Sequence, residues 1–213
     1  MADPELFFKD QLSVRSQAAI PTVFKTAYAA AESLIQESPI LQVESARDNK
    51  GRVITWSVDL AIKRAIETGA ISCDYRWQPF AKPTGRYLEL IFSHSTASIS
   101  QVDDPHRQPR NVVFRENARL NSPDLLTPLE SEAPVVGRPH FILVHGYQTL
   151  EFAHFGIPSS RSKRAWAWLS PDLMKLPHAV PFEGPEVEDT DIDFNEVGLL
   201  KDEIERWVKD NDE

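Results

Sequence analysis

The side chains able to do chemistry fall into a few groups. The largest is basic. Arg107, Arg110, Arg115 and Arg119 share one segment with His106, and only Glu116 opposes them there. The stretch 159–164 adds Arg161, Lys163 and Arg164 with three serines, and Trp166 and Trp168 follow. A guanidinium fork matches the geometry of phosphate and carboxylate. Hydroxyls and aromatic faces accompany it at nucleic-acid surfaces. These seven residues therefore read as an anion-binding surface.

The imidazoles of His94, His140, His145 and His154 raise the question of a metal. A hairpin turning through 146–149 would pair His145 with Leu150 and His154 with Phe141. His145 and His154 would then share a face, separated by roughly 13 Å along the strands. His140 would point the other way. Zinc–nitrogen bonds of about 2.1 Å do not span that gap. With one cysteine and neither H-E-x-x-H nor C-x-x-C, no metal and no cofactor are expected. Ser93, His94 and Ser95 are neighbours on an expected strand, so hydroxyl and imidazole point to opposite faces. Nothing in the sequence lowers the Cys73 pKa, and it reads as a small buried hydrophobe.

Asp74 and Glu89 fall on two successive expected strands, with Glu44 as a third acid. In degenerate form this resembles the paired-carboxylate site of restriction-type nucleases. The resemblance implies Mg²⁺ bound by the two acids and a lysine beside the attacking water. The lysine position is Ile91 here, and His94 is out of register. A shorter resemblance runs over His140-Phe-Ile-Leu-Val-His145-Gly146, which is similar to the strand and His-Gly turn of α/β-hydrolases. That family needs a nucleophile elbow and further βα units downstream. Only 67 residues follow Gly146, with no elbow among them.

Composition narrows the classes further. The chain has 213 residues, 41% hydrophobic and 26% charged, which suits a globular protein with a sizeable core. No apolar run approaches the roughly 18 residues that span a bilayer. The acidic start MADPELFFKDQ lacks the form of a signal peptide, and a cytoplasmic location is expected. Eight glycines are few, and no G-x-G-x-x-G, P-loop or G-x-S-x-G occurs.

The net charge of −9 is unevenly spread. Residues 182–213 hold 13 acids against 3 bases, a net of −10, while residues 1–181 are close to neutral. Glu183 to Asp193 is acidic and weakly apolar. Between Asn195 and Asp210, Val197, Leu200, Ile204 and Trp207 recur at helical spacing. Such a stripe must dock, on the chain's own body or on a partner.

The elements that must position these groups follow from periodicity. A helix is expected over 22–37, capped by Thr22 after Pro21 and stopped by Pro39. A connection follows over 39–52. A second helix is expected over 53–68, with Ile54, Val58, Ile62 and Ile66 on one face. Its row Asp59, Lys63, Glu67 reads as solvated ion pairs, and Gly69 as the residue ending the helix. From residue 71 the period becomes two. Strands are expected over 72–80, 86–94, 96–102, 111–120 and 166–169, with a hairpin of 139–145 and 150–156. A pocket over the sheet lined by Trp77, Phe92, Phe152 and Trp166 is a further expectation.

Helices first and strands after predict an α+β fold, with the early helices packed on a mainly antiparallel sheet. The expected organisation is one domain over 1–181, helical to residue 70 and β-rich after it, followed by the acidic segment 182–213 with its amphipathic helix. The expected function is that of a non-catalytic regulatory or interaction protein. Its arginine surface would bind anions, and its acidic tail would mask that surface or dock on a partner. A protein partner or homo-oligomer is expected, with nucleic acid as a second class of ligand and no membrane. The alternative is a metal-dependent nuclease or hydrolase using Asp74 and Glu89.

Overall fold

Asp3 starts the first helix by accepting a hydrogen bond from the Glu5 amide at 2.9 Å, and Pro4 follows at the position that needs no donor. The computed structural model describes residues 3–80, 85–110, 112–121, 138–159, 162 and 164–176. The first helix, α1 (Pro4–Gln11), is followed by α2 (Val14–Glu37) and, after two short 3-10 turns, by α3 (Lys50–Glu67). Six strands then form one sheet in sequence order: β1 (Asp74–Pro79), β2 (Arg86–Ile91), β3 (Thr96–Val102), β4 (His140–Gly146), β5 (Ala153–Pro158) and β6 (Trp166–Leu169). All neighbours pair antiparallel except β3 and β4, which are parallel. A fourth helix, α4 (Val113–Asn121), lies in the connection between those two strands. The α+β architecture expected from the sequence is what the chain adopts.

The register gives the sheet two different faces. Leu88, Leu90, Ala97, Phe141, Leu143, Ala153, Phe155 and Ile157 face the helices and join one core with Phe24, Ile54, Val58 and Ile62. Phe8 of α1 reaches into it, with its ring 5.0–5.6 Å from those of Phe155, Trp168 and Phe141. Burial of this apolar area, at roughly 25 cal/mol per Å², is the main drive for the helices to dock. The opposite face carries Arg76, Gln78, Glu89, Thr96, Ser98, Ser100 and His140, then a smaller apolar group of Val102, Ile142, Val144 and Phe152. On this face α4 packs, its Phe114 stacked on Tyr87 with centroids 4.0 Å apart.

Several expectations are corrected. The helix read over 22–37 begins at Val14, with Ser13 as its cap and Pro21 inside it. An interior proline costs about 3 kcal/mol through a lost hydrogen bond and a ring clash. Burial of Ile20, Pro21 and Phe24 on one continuous face outweighs that cost. The strand read over 111–120 is α4. Its alternation is short enough to fit either period, and Arg115, Glu116, Ala118 and Leu120 are good helix formers.

The β4–β5 hairpin forms, but with a longer connection. His145 opposes Ala153 and His154 opposes Val144. An odd shift in register reverses the facing, so His145 and His154 lie on opposite faces and His154 shares that of His140. Trp77 and Phe92 belong to the helical core, Phe152 and Trp166 to the other face, and the four line no common pocket. Gly69 does end α3, at φ +77. No helix among the described residues is long and apolar enough to cross a membrane.

Candidate anion-binding site and the buried polar face

The polar face is organised by neighbouring strands. His140 of β4 lies opposite Thr96 of β3, and a hydroxyl meets each ring nitrogen: Thr96 Oγ1 is 2.8 Å from Nδ1, and Ser98 Oγ is 3.1 Å from Nε2. Glu89 of β2 is the cross-strand partner of Ser98. Its Oε2 accepts from Arg76 Nε at 2.5 Å and from Gln78 Nε2 at 3.1 Å.

A serine against an imidazole is the minimum of nucleophilic catalysis, but that chemistry passes through an imidazolium. Burial pushes the His140 pKa from 6.5 down to about 4, the nearby Glu89 charge opposing only in part. The far nitrogen meets a threonine hydroxyl where a catalytic pair needs a carboxylate. Ser98 is wholly buried and His140 3% exposed. The arrangement suits a neutral histidine held between the buried Ser98 hydroxyl and the half-buried Thr96 hydroxyl, and it is poorly suited to proton transfer.

Asp74 and Glu89 do share this face. Asp74 opposes Ile91, one diagonal step from Glu89, and is exposed. Glu89 is occupied by a guanidinium and an amide. Glu44 sits in a 3-10 turn, paired with Arg47 at 3.0 Å. No group of three His, Cys, Asp or Glu placed to hold a metal ion occurs among the described residues. Cys73 is half-buried, with its thiol pushed up to about 12 by burial.

The arginines divide into two kinds. Arg107 is 72% exposed and follows a tight turn in which Asp104 accepts from the His106 amide. Gln108 Nε2 donates to the Ala165 carbonyl, which ties this segment to the chain beside β6. As a result Arg107, Gln108 and Arg164 line one cleft of about 390 Å³, although Arg107 and Arg164 are far apart in sequence. Arg110 is exposed.

Arg115 differs from its expected role at the surface. One guanidinium nitrogen, Nη1, donates to the Arg110 carbonyl at 3.0 Å, and Nη2 donates to Ser100 Oγ. The group lies 4.9 Å from the Phe114 ring centre, and its Nε is covered without an acceptor. Burial lowers its pKa to about 10, and the Tyr87 hydroxyl opposes the shift. Arg115 is therefore a brace that joins α4, β3 and the backbone of Arg110. Its place beside Phe114 on a short helix could have flagged this, had the segment not been read as a strand.

Arg119 lies in α4, but its side chain is outside the described residues, as are Arg161, Lys163 and the tail positions Val197, Leu200, Ile204 and Trp207. Asp59, read as part of a solvated row, is buried and only 8% exposed. Lys63 and Glu67 do pair, at 2.8 Å.

Compared with protein families, with curated proteins and with solved structures, the chain matches none.

Proposed function

We propose that the protein is a cytoplasmic regulatory interaction protein that acts without catalysis. The cleft of Arg107, Gln108 and Arg164 receives anionic groups of a partner. The acidic segment 182–213 competes for the same cleft, within one chain or between two copies. The single observation behind this reading is the convergence of Arg107 and Arg164 on one cleft. The uneven charge of the sequence supports it, because a net of −10 in the last 32 residues supplies an anionic occupant. The depressed His140 pKa and the pairing of Glu89 support the non-catalytic part.

Charged hydrogen bonds to an anion contribute roughly 1.5–3 kcal/mol each. Arg164→Ala is thus expected to weaken heparin binding about tenfold in low salt, as read by isothermal titration, while Arg115→Lys lowers thermal stability more than affinity. Equal heparin affinity in wild type and Arg164→Ala would remove the cleft from consideration.

A second reading, Mg²⁺-dependent nuclease chemistry, has one observation in its favour: Asp74 and Glu89 stand on one face at diagonal cross-strand positions. Plasmid cleavage that needs Mg²⁺ and disappears in Glu89→Ala would establish it over the first.

A further inference from the structure

We propose that strand β1 is a docking edge for a second copy of this chain. The two β1 strands pair antiparallel about a two-fold axis at Tyr75 and join the two sheets into one. The proposal is independent of the arginine cleft.

Backbone phase is the first argument. Strand β1 is the first of the sheet and has a neighbour on one side only among the described residues. The Phe80 amide donates to the Gly85 carbonyl at 2.9 Å. In an antiparallel ladder every second pair exchanges hydrogen bonds. Stepping back by two, the bonded pairs are Gln78 with Tyr87, Arg76 with Glu89 and Asp74 with Ile91. The next ladder has the same phase, because Phe92 bonds to Ser95 and so the odd-numbered residues of β2 are left for β1. The N–H and C=O groups of Tyr75 and Trp77 therefore point away from the sheet. The Cys73 carbonyl points the same way, opposed across a trans peptide to the Asp74 amide. Pro79 ends the row without an N–H.

Charge selects the register. Asp74 and Arg76 stand two residues apart on the outer face of β1. The Asp74 carboxylate is exposed and has no partner among the described residues. Arg76 gives Nε to Glu89 and keeps 56% of its side chain exposed. With Tyr75 on the axis, Asp74 lies directly opposite the partner's Arg76, and Arg76 opposite the partner's Asp74. Opposite charges so placed favour pairing, and like charges oppose it. Moving the axis by one residue sets Asp74 against the partner's Asp74, or Arg76 against the partner's Arg76. Moving it to Trp77 sets Tyr75 against the partner's Pro79, where one donor is missing.

In the favoured register each Tyr75 exchanges both backbone bonds with the partner's Tyr75. Each Trp77 amide meets the partner's Cys73 carbonyl. The patch is complementary to itself, so pairing closes at two copies and covers an edge that would otherwise recruit strands without limit. A contact one strand long suits a reversible dimer.

Sedimentation equilibrium of the full-length chain tests this. The wild type is expected to be a dimer in exchange with monomer. Asp74→Arg sets like charges opposite and should raise the dimer Kd at least tenfold. Tyr75→Pro removes an outward amide, leaves the bonds to β2 in place and should raise it as much. The register is read by air oxidation of Cys73→Ser chains. Directly opposed Cα atoms of this kind lie about 4.5 Å apart, within disulfide reach. A mixture of the Asp74→Cys and Arg76→Cys chains is expected to cross-link, and neither chain alone. A wild type that is monomeric at about 0.1 mM overturns the proposal. A dimer whose Kd neither substitution moves also overturns it, since its interface then lies elsewhere. Cross-linking by Arg76→Cys alone overturns the register. If Tyr75→Pro fails to fold by circular dichroism, Asp74→Arg decides, because that side chain is exposed.

Discussion

Asp59→Asn stabilises the protein by several kcal/mol at pH 8.5 and by almost nothing at pH 4. Asp59 lies on α3 one turn beyond Thr55, which bonds Gln101 of β3, and one turn before Lys63, which lies over Tyr75 of β1. The helix thus crosses the sheet, and Asp59 is trapped midway. It is 8% exposed and has no hydrogen-bonding or ionic partner among the described residues. Burial raises its pKa from 3.8 to about 8. The unfolded chain ionises near pH 4, whereas the folded chain holds the proton up to pH 8. Folding therefore takes up a proton across that window, and stability falls as pH rises through it. At about 1.4 kcal/mol per pH unit, the ceiling is on the order of 5 kcal/mol. Asparagine keeps the shape and cannot ionise. Urea unfolding of both chains from pH 4 to pH 9 checks this, and parallel curves would show that Asp59 reaches water.

Two histidines act in the opposite sense at lower pH. His140 is held neutral with a pKa near 4, and His145 near 3. Burial is the main cause for both. For His145 a hydrogen bond to Gly146 opposes it in part, and Tyr28 Oη lies 2.7 Å from Nδ1. Unfolded imidazoles bind protons near pH 6.5. Stability from these two groups is present above pH 6.5 and is lost as pH falls towards 4 and 3. Acid unfolding of Asp59→Asn is accordingly expected to take up about two protons, and His140→Gln in that background about one. In the wild type Asp59 cancels one of the two below pH 6.5 and acts alone above it. Stability should then peak near pH 6.5 and decline on both sides. A plateau from pH 5 to 8 would contradict this account of the buried groups.

What the sequence made legible was governed by local pattern. Helix α3, the strands β2 and β3 and the termination at Gly69 follow from spacing that tertiary contacts reinforce. The even-numbered apolar residues of β2 face the helices as the alternation implies. The failures lie where packing overrides local rules. Pro21 looks like a boundary because its local cost is visible and the burial on either side of it is not. Asp59 looks solvated because the i,i+4 row says nothing about the sheet beneath it. The β4–β5 register depended on a turn length that sequence does not specify.

The site was partly legible. Arginine clustering pointed to Arg107 and Arg164, but the Gln108–Ala165 bond that joins their segments has no sequence signature. Arg115 was assigned by charge, and its position under α4 makes it structural. The row of Ser98, His140 and Glu89 was not legible as a row, since three strands contribute to it.

The account turns most directly on one comparison: heparin affinity of the full-length chain with its tail acids intact and with those acids replaced by Asn and Gln, each with and without Arg164→Ala. The account predicts at least tenfold tighter binding on neutralisation, and loss of that gain when Arg164 is removed. Identical affinity in all four chains would contradict it.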